Sequence, residues 1–237
     1  MPTAAVIIIG NEILSGKFTE ENAAWLIGRL RELGADLGRI AVIADDVDAI
    51  ASEVRRCSEQ FDWVVTSGGV GPTHDDITLE SVAAGFGVGM TREPALVALL
   101  EKYGLELNDA TLRMATVPDG CELVEGDGRS FPVLKVRNVF VLPGVPKLFK
   151  AKFEVIAPLF AGVAVQTARV RTKARETDIA AHLSAVQDAH PEVEIGSYPR
   201  FGEGDDHVII TLESRDAAAL ESARMAVQAG VSRLDSQ

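Results

Sequence analysis

Apolar runs of two kinds alternate along the first two-thirds of the chain. Ala4-Ala-Val-Ile-Ile-Ile9 is continuous and mostly β-branched, and a run without polar interruption marks a strand covered on both faces. Residues 61–65 and 138–142 also read as buried strands, and 39–43 as a short one. Between them lie stretches at helical spacing. In residues 20–33, Ala23, Leu26, Ile27, Leu30 and Leu33 share one face, Thr19 is placed to cap the start, and Gly34 is placed to stop the helix. Further helices are expected at 47–59, at 79–84, from Pro94 through Leu96, Val97, Leu99 and Leu100, at 110–115 and at 147–156. Short strands at 121–124 and 133–136 flank a loop. Alternation of this kind predicts an α/β fold, a three-layer sandwich around a mostly parallel, doubly wound sheet.

The pattern changes near Gly162. A strand at 163–172, a helix at 177–189, strands at 193–198 and 207–213 and a helix at 216–229 give the order βαββα, with a polar hairpin tip at 202–206. The expected division is an α/β domain over 1–162 and a small α+β subdomain over 163–237.

With 237 residues, 47% of them hydrophobic, there is material for one main core and a smaller one. The apolar runs are much shorter than the ~20 residues that a membrane span needs, and Met1-Pro-Thr lacks a basic secretory start. A cytoplasmic protein without a membrane partner is expected. The net charge of −12 argues against nucleic acid, whose phosphates call for clustered Lys and Arg. Cys57 and Cys121 fit neither a zinc spacing nor a disulfide framework and read as reduced, partly buried fillers.

Candidate chemistry concentrates in Thr66-Ser-Gly-Gly-Val-Gly-Pro-Thr-His-Asp-Asp-Ile-Thr78. This stretch joins a buried strand to a helix, the place where open α/β sheets bind ligands. Gly68, Gly69 and Gly71 allow backbone N–H groups to approach an anion, while Thr73, Asp75 and Asp76 supply oxygens. Two carboxylates beside a phosphate repel it, each by roughly 4 kcal/mol at ~4 Å near a surface. Either no phosphate sits there or a hard divalent cation such as Mg²⁺ lies between, held by Asp75 and Asp76. Thr73 and Asp76 also match a capping box, which starts a helix and needs no ligand. Glu12 and Asp45 follow two other strands and lie at the same sheet edge if those strands are parallel. His74 has the chemistry of a general base or a ligand, but a lone loop histidine is more often a solvated bystander. Lys17 and Arg92 are candidate phosphate contacts, though a solvated surface position explains each better. Gly10-Asn-Glu-Ile-Leu-Ser-Gly-Lys17 is not a P-loop, because five residues separate its glycines and Phe18 replaces the metal-binding hydroxyl. A nucleophile elbow is also missing. The chemistry best supported is metal-assisted hydrolysis of a phosphoric anhydride by water.

Gly10-Asn-Glu-Ile-Leu-Ser-Gly16, the 66–78 stretch and Leu142-Pro-Gly-Val-Pro146 together resemble the molybdopterin-binding (MoCF, MoaB/Mog-like) domain in its CinA-type branch. The later Ile195-Gly-Ser-Tyr-Pro-Arg200 segment resembles the small subdomain of that branch. The deamidase domain that often follows is not expected here. The resemblance implies a cleft for a pterin or a nucleotide pyrophosphate, formed by Gly10, Glu12, Ser67, Gly68, Gly69, Gly71, Pro72, Thr73, Thr78, Pro143 and Gly144. By motif position, Asp45 with Asp75 or Asp76 would assist the chemistry. CinA-type domains are associated with hydrolysis of ADP-ribose-like pyrophosphates with a divalent metal, and the version fused to FAD synthases with hydrolysis of FAD. Binding without hydrolysis in molybdenum-cofactor metabolism is the alternative. Homo-oligomers, dimers or trimers, are usual for the fold, and the apolar stretch 82–88 suits an interface or the core. The loop Gly126-Asp-Gly-Arg-Ser-Phe-Pro132 departs from the CinA pattern, and the run through Val139 is closer to the FAD-synthase version. Substrate choice is expected to lie in 126–132.

Overall fold

The first apolar run becomes β1 (Thr3–Ile9), in which Ala4, Ala5, Val6 and Ile7 have no exposed surface. The computed structural model describes residues 1–126, 131–200 and 206–235. After β1 come a short helix α1 (Asn11–Leu14), α2 (Asn22–Leu33), β2 (Asp36–Ile43), α3 (Val47–Gln60) and β3 (Trp63–Ser67). There follow α4 (Thr78–Phe86), β4 (Met90–Arg92), α5 (Pro94–Lys102), α6 (Asp109–Arg113), β5 (Thr116–Pro118) and β6 (Glu122–Val124). A hairpin of β7 (Val133–Val136) and β8 (Val139–Leu142) then leads into α7 (Pro146–Ile156).

The main sheet has the order β2-β1-β3-β8-β7-β6. β2, β1, β3 and β8 are mutually parallel, and β7 alone runs against the rest. Alternate residues of β1 feed two separate cores, as the strand's two-residue period requires. Ala5, Ile7 and Ile9 pack with Ile50 and Val54 of α3, Val82 of α4 and Leu96 of α5. On the opposite face, Ala4, Val6 and Ile8 pack with Leu26 and Leu30 of α2 and Phe149 and Phe153 of α7. Two helical layers thus enclose the sheet, as the apolar pattern predicts.

Several local expectations are corrected. Thr19 does not cap α2. The helix begins at Asn22, and the Glu20 carboxylate accepts the N–H groups of Asn22 at 2.7 Å and Ala23 at 2.9 Å. A carboxylate reaching two free amides satisfies more of the helix start than one hydroxyl. The β4–β5 pair and α1 are too short for periodicity to reveal. In the 82–88 stretch, Val82, Ala83 and Gly85 are buried. A Cβ on Gly85 would lie 2.7 Å from the Ala51 carbonyl oxygen, so glycine permits α4 to lie against α3.

The chain divides into the unit just described, Met1–Gly162, and a second one, Val163–Gln237. The latter contains β9 (Gln166–Thr172), α8 (Glu176–Ala189), β10 (Glu194–Pro199), β11 (Val208–Ser214) and α9 (Ala217–Asp235). Its antiparallel sheet has the order β10-β11-β9. Val170, Val208, Ile210 and Leu212 meet Ile179 and Val186 of α8 and Ala223 and Val227 of α9. α9 continues beyond the expected stop before Gly230. A Cβ there would lie 2.0 Å from His182 Nε2, so this glycine serves close helix packing inside the helix and does not end it. Most of the expected tip at 202–206, and residues 127–130 of the loop at 126–132, lie outside the described residues.

Candidate functional site

Because β1, β2 and β3 are parallel, their carboxyl ends bring the turns after Ile9, Ile43 and Ser67 to one edge of the sheet. There the glycine loop is held by its own backbone. Gly68 N–H donates to the Leu142 carbonyl at 3.1 Å. The Thr78 hydroxyl donates to Gly68 O at 2.9 Å, and Thr78 N–H to Gly69 O at 3.0 Å. Gly68 has φ +108°, and a Cβ on it would lie 2.2 Å from the Ile9 carbonyl oxygen. Both conformation and space therefore demand glycine. Gly144, in the β8–α7 turn, lies against it, its added Cβ being 3.3 Å from Gly68 Cα.

A cavity of about 920 Å³ opens at this edge. Its polar wall includes Glu12, Asn22, Ser67, Gly68, Gly69, Gly71, Asp76, Pro143 and Gly144, and its apolar wall includes Phe18, Tyr103, Met114, Phe131 and Leu148. Eight of the sequence-predicted residues thus line one space. Gly10, Asp45, Pro72, Thr73, Asp75 and Thr78 are not in that lining. Gly10 N–H donates to Ile43 O at 3.1 Å, and Asp45 accepts the Asn11 N–H at 2.8 Å. These two residues fix the first turn. Lys17 extends over the Phe18 ring, 5.8 Å from its centroid, and Arg92 sits on β4 outside the cavity lining.

The adjacent aspartates differ. Asp76 accepts the Thr73 N–H at 2.8 Å and also the Thr73 hydroxyl. This closes a four-residue turn, while α4 begins later, with Ile77 as its cap. The expected capping box is therefore a turn clasp and does not cap the helix. Asp75 points outward, its side chain 64% exposed, with His74 Nδ1 3.9 Å away. The Thr73 hydroxyl, although bonded to Asp76, together with Asp75's own backbone N–H holds the Asp75 carboxyl below its ordinary value. Ionised Asp75 is therefore the form present at neutral pH.

Two residues escape a motif-based reading. Asn22 is 5% exposed, and its Nδ2 donates to Ser67 Oγ at 2.9 Å and to Gly144 O at 2.7 Å. Since a carbonyl can only accept, the amide orientation follows from this contact. Arg113 Nη1 donates to the Thr73 carbonyl at 2.7 Å and steadies the acidic turn from α6. Asn22 sits at a helix start two residues after an acid, and Arg113 in a short polar helix. Neither position carries a periodic or motif signal.

Among the described residues no group of three or more His, Cys, Asp or Glu could hold a metal ion. The cavity does contain Glu12 and Asp76 beside glycine backbone. Mg²⁺ commonly uses one or two carboxylates and takes its remaining oxygens from water and phosphates. Glu12 and Asp76 are donors of this type, and among the described residues they form no cage for a resident cation.

A mostly parallel α/β sheet whose carboxyl edge holds a glycine turn, two carboxylates and a roomy, partly apolar cavity has the arrangement of a small-molecule binding domain. The chain belongs to the family described as probable molybdopterin binding domain, which matches residues 5–162. Residues 164–234 match the FAD synthase middle domain. A protein of Archaeoglobus fulgidus is 36% identical over 218 residues, covering 92% of this chain and 93% of its own length. A probable FAD synthase of Caenorhabditis elegans is 31% identical over 249 residues, covering 93% of this chain, and the match takes in 48% of that relative. The chain thus spans about half the length of that FAD synthase. Among solved structures, the protein CinA of Thermoplasma acidophilum is 36% identical with a TM-score of 0.61, covering 67% of this chain and 98% of that one. Likeness to CinA agrees with the motifs at 10–16, 66–78 and 142–146. Among the described residues no helix is long and apolar enough to cross a membrane.

Proposed function

We propose that this chain binds a nucleotide pyrophosphate, of the ADP-ribose or FAD kind, in the cavity at the sheet edge and hydrolyses it with the help of a divalent cation. The observation that carries the reading is the meeting of Glu12 and Asp76 with Gly68, Gly69 and Gly71 in one cavity. The family's description and the FAD-synthase relative support a pterin- or nucleotide-related ligand. In this reading the glycine backbone receives the phosphates, and the apolar wall of Phe18, Tyr103, Met114 and Phe131 receives the ring. Glu12 and Asp76 hold the cation that accompanies the phosphates. When bound, such a cation neutralises phosphate charge and makes water a better nucleophile. The reaction adds water across one P–O–P bond. The water oxygen joins one phosphorus, the bridging oxygen leaves with the other, and two phosphate monoesters result. Asp76 is the group that receives the proton lost by the water.

Incubation with ADP-ribose or FAD and Mg²⁺, Mn²⁺ or Co²⁺ tests the reading by AMP release. If AMP appears with none of these metals, hydrolysis is excluded. The family description of residues 5–162, a probable molybdopterin binding domain, supports a second reading, a module that binds a pterin or nucleotide without turnover. Copurification of a pterin, or tight binding without turnover, would decide for it.

A further inference from the structure

Residues 70–76 carry Gly71 and Asp76 to the cavity, yet they belong to no helix or strand. Their own hydrogen bonds run chiefly between Thr73 and Asp76. The Thr73 N–H and hydroxyl donate to Asp76 Oδ2, and the Asp76 N–H donates back to the Thr73 carbonyl at 3.2 Å. These bonds shape the turn without fixing where it lies. Among the described residues one hydrogen bond reaches this segment from another element, that of Arg113 Nη1 to the same Thr73 carbonyl at 2.7 Å. Arg113 ends α6 and is itself held from both sides. An Asn108–Thr111 capping box closes the start of that helix. Beyond its end, Ala115 has no exposed surface, and the Thr116 hydroxyl donates to the Leu112 carbonyl at 2.8 Å. The residue after Arg113, Met114, lines the cavity.

The two oxygens of Asp76 are therefore unlike. Oδ2 is taken up by Thr73, whereas Oδ1 has no hydrogen-bond donor among the described residues and is the oxygen open to a cation or to a water proton. Gly71 lies against this carboxylate, its added Cβ being 2.7 Å from Oδ2 and 3.3 Å from Oδ1. Glycine thus leaves the carboxylate room at the cavity wall. We infer that Arg113 is a positioning residue for hydrolysis, holding the Thr73 carbonyl so that Asp76 presents Oδ1 to the pyrophosphate. This inference rests on the function proposed above. Arg113 is exposed and is not in the cavity lining, so it acts through the turn and not on the ligand. A guanidinium suits the task, because it stays charged at any working pH and its bond to a carbonyl is charge-assisted. The path runs through the backbone of Thr73, and the Thr73 hydroxyl is no part of it. Misplacing a reacting group by ~1 Å costs up to about a hundredfold in rate, so a single anchoring bond on this turn bears on catalysis.

AMP release from ADP-ribose or FAD, with Mg²⁺, Mn²⁺ or Co²⁺, tests this in the full chain and in Arg113→Met, Arg113→Lys, Asp76→Asn and the double variant Arg113→Met with Asp76→Asn. Arg113→Met is expected to lower kcat about tenfold or more, with KM within about threefold of the parent. Arg113→Lys should recover most of the loss, since an ammonium also donates to a carbonyl. In the Asp76→Asn background, Arg113→Met should lower kcat by less than about twofold further, because a residue that acts through Asp76 has nothing left to position. The Asp76 amide, whose acceptor Arg113 holds, should also exchange its hydrogen faster in Arg113→Met. Parental kcat or unaltered amide exchange in Arg113→Met overturns the inference and leaves the hydrolytic reading standing. A rise in KM without a fall in kcat does the same, since it would put Arg113 on the phosphates. So does a full further loss in the double variant, which would make the effect independent of Asp76. If the parent releases no AMP, the hydrolytic reading falls and this inference falls with it.

Discussion

Asn22 Nδ2 donates to the Gly144 carbonyl oxygen at 2.7 Å and, with its second hydrogen, to Ser67 Oγ at 2.9 Å. One buried amide thereby ties the start of α2 to the end of β3 and to the β8–α7 turn, the segments that carry the polar wall of the cavity. Asn22→Leu would strand the Gly144 carbonyl and the Ser67 hydroxyl without this donor. A loss of about 1–3 kcal/mol is expected, read as a lower urea midpoint. Asn22→Asp should cost at least as much near neutral pH, because a carboxylate cannot donate to a carbonyl. An unchanged midpoint in both variants would show that the amide does not hold these segments together.

The glycine turn should tolerate substitution very unevenly. Gly68→Ala places a methyl 2.2 Å from the backbone oxygen of Ile9, at a φ of +108° that side chains rarely adopt. The obstructing atoms are backbone and leave little room to relax, and a loss of roughly 3 kcal/mol is expected. Gly16→Ala, with φ +72° and nothing within 4 Å of its added Cβ, should cost about 1 kcal/mol from conformation alone. Denaturation of the two variants side by side checks the ranking, and equal losses would refute the steric account.

Asp62 gives acid sensitivity a definite origin. Thr3 N–H and the Thr3 hydroxyl each donate to Asp62 Oδ2 at 2.8 Å, and the backbone bond first and the hydroxyl second hold this carboxyl below its ordinary value. A carboxyl with a lowered folded pKa contributes stability that is fully present above its unfolded value, near 3.9. That contribution disappears as the pH falls through the folded value. Asp62→Asn should therefore lower the urea midpoint near about pH 7. Its deficit against the parent should close as the pH falls below about 3. A deficit that stays constant across this range would mean that the ionised form has no special role.

The layered α/β fold is legible because β1 and β8 are almost wholly apolar, β3 opens on an apolar run, and α2 and α3 repeat at helical spacing. Short elements are not legible in the same way. In β4 and β5, three residues each, strand identity comes from their pairing with each other and not from local pattern. The last helix, expected to end at 229, runs on through Gly230, a position where close packing against His182 leaves no room for a side chain. At the candidate site, the glycines and acids stand out by residue type and motif. What the residue types could not convey is direction. Asp75 and Asp76 are neighbours in sequence, and the turn closed by Thr73 turns one toward the cavity and the other to solvent. Asn22 and Arg113 were illegible for a related reason, since their partners lie 122 and 40 residues away in the chain.

That difference in direction separates the two aspartates in any hydrolytic reaction. Asp76 lines the cavity and Asp75 does not, its side chain being 64% exposed. With a pyrophosphate substrate and a divalent cation, Asp76→Asn is expected to lower kcat/KM by about a hundredfold or more, the range for loss of an acid–base or metal-holding carboxylate. Asp75→Asn should change it by about threefold or less, as expected for an exposed charge screened by salt. Asp76 also closes the turn through Thr73, so a structural explanation must be separated from a chemical one. Thr73→Val supplies that separation, because it removes the hydroxyl bond while leaving the carboxylate and the backbone bond. If Asp76 acts chemically, Thr73→Val retains most activity and Asp76→Asn does not, at similar urea midpoints. Equal losses in Thr73→Val and Asp76→Asn would assign Asp76 to the architecture of the turn. A larger loss in Asp75→Asn than in Asp76→Asn would move the reacting carboxylate to the outward-facing residue.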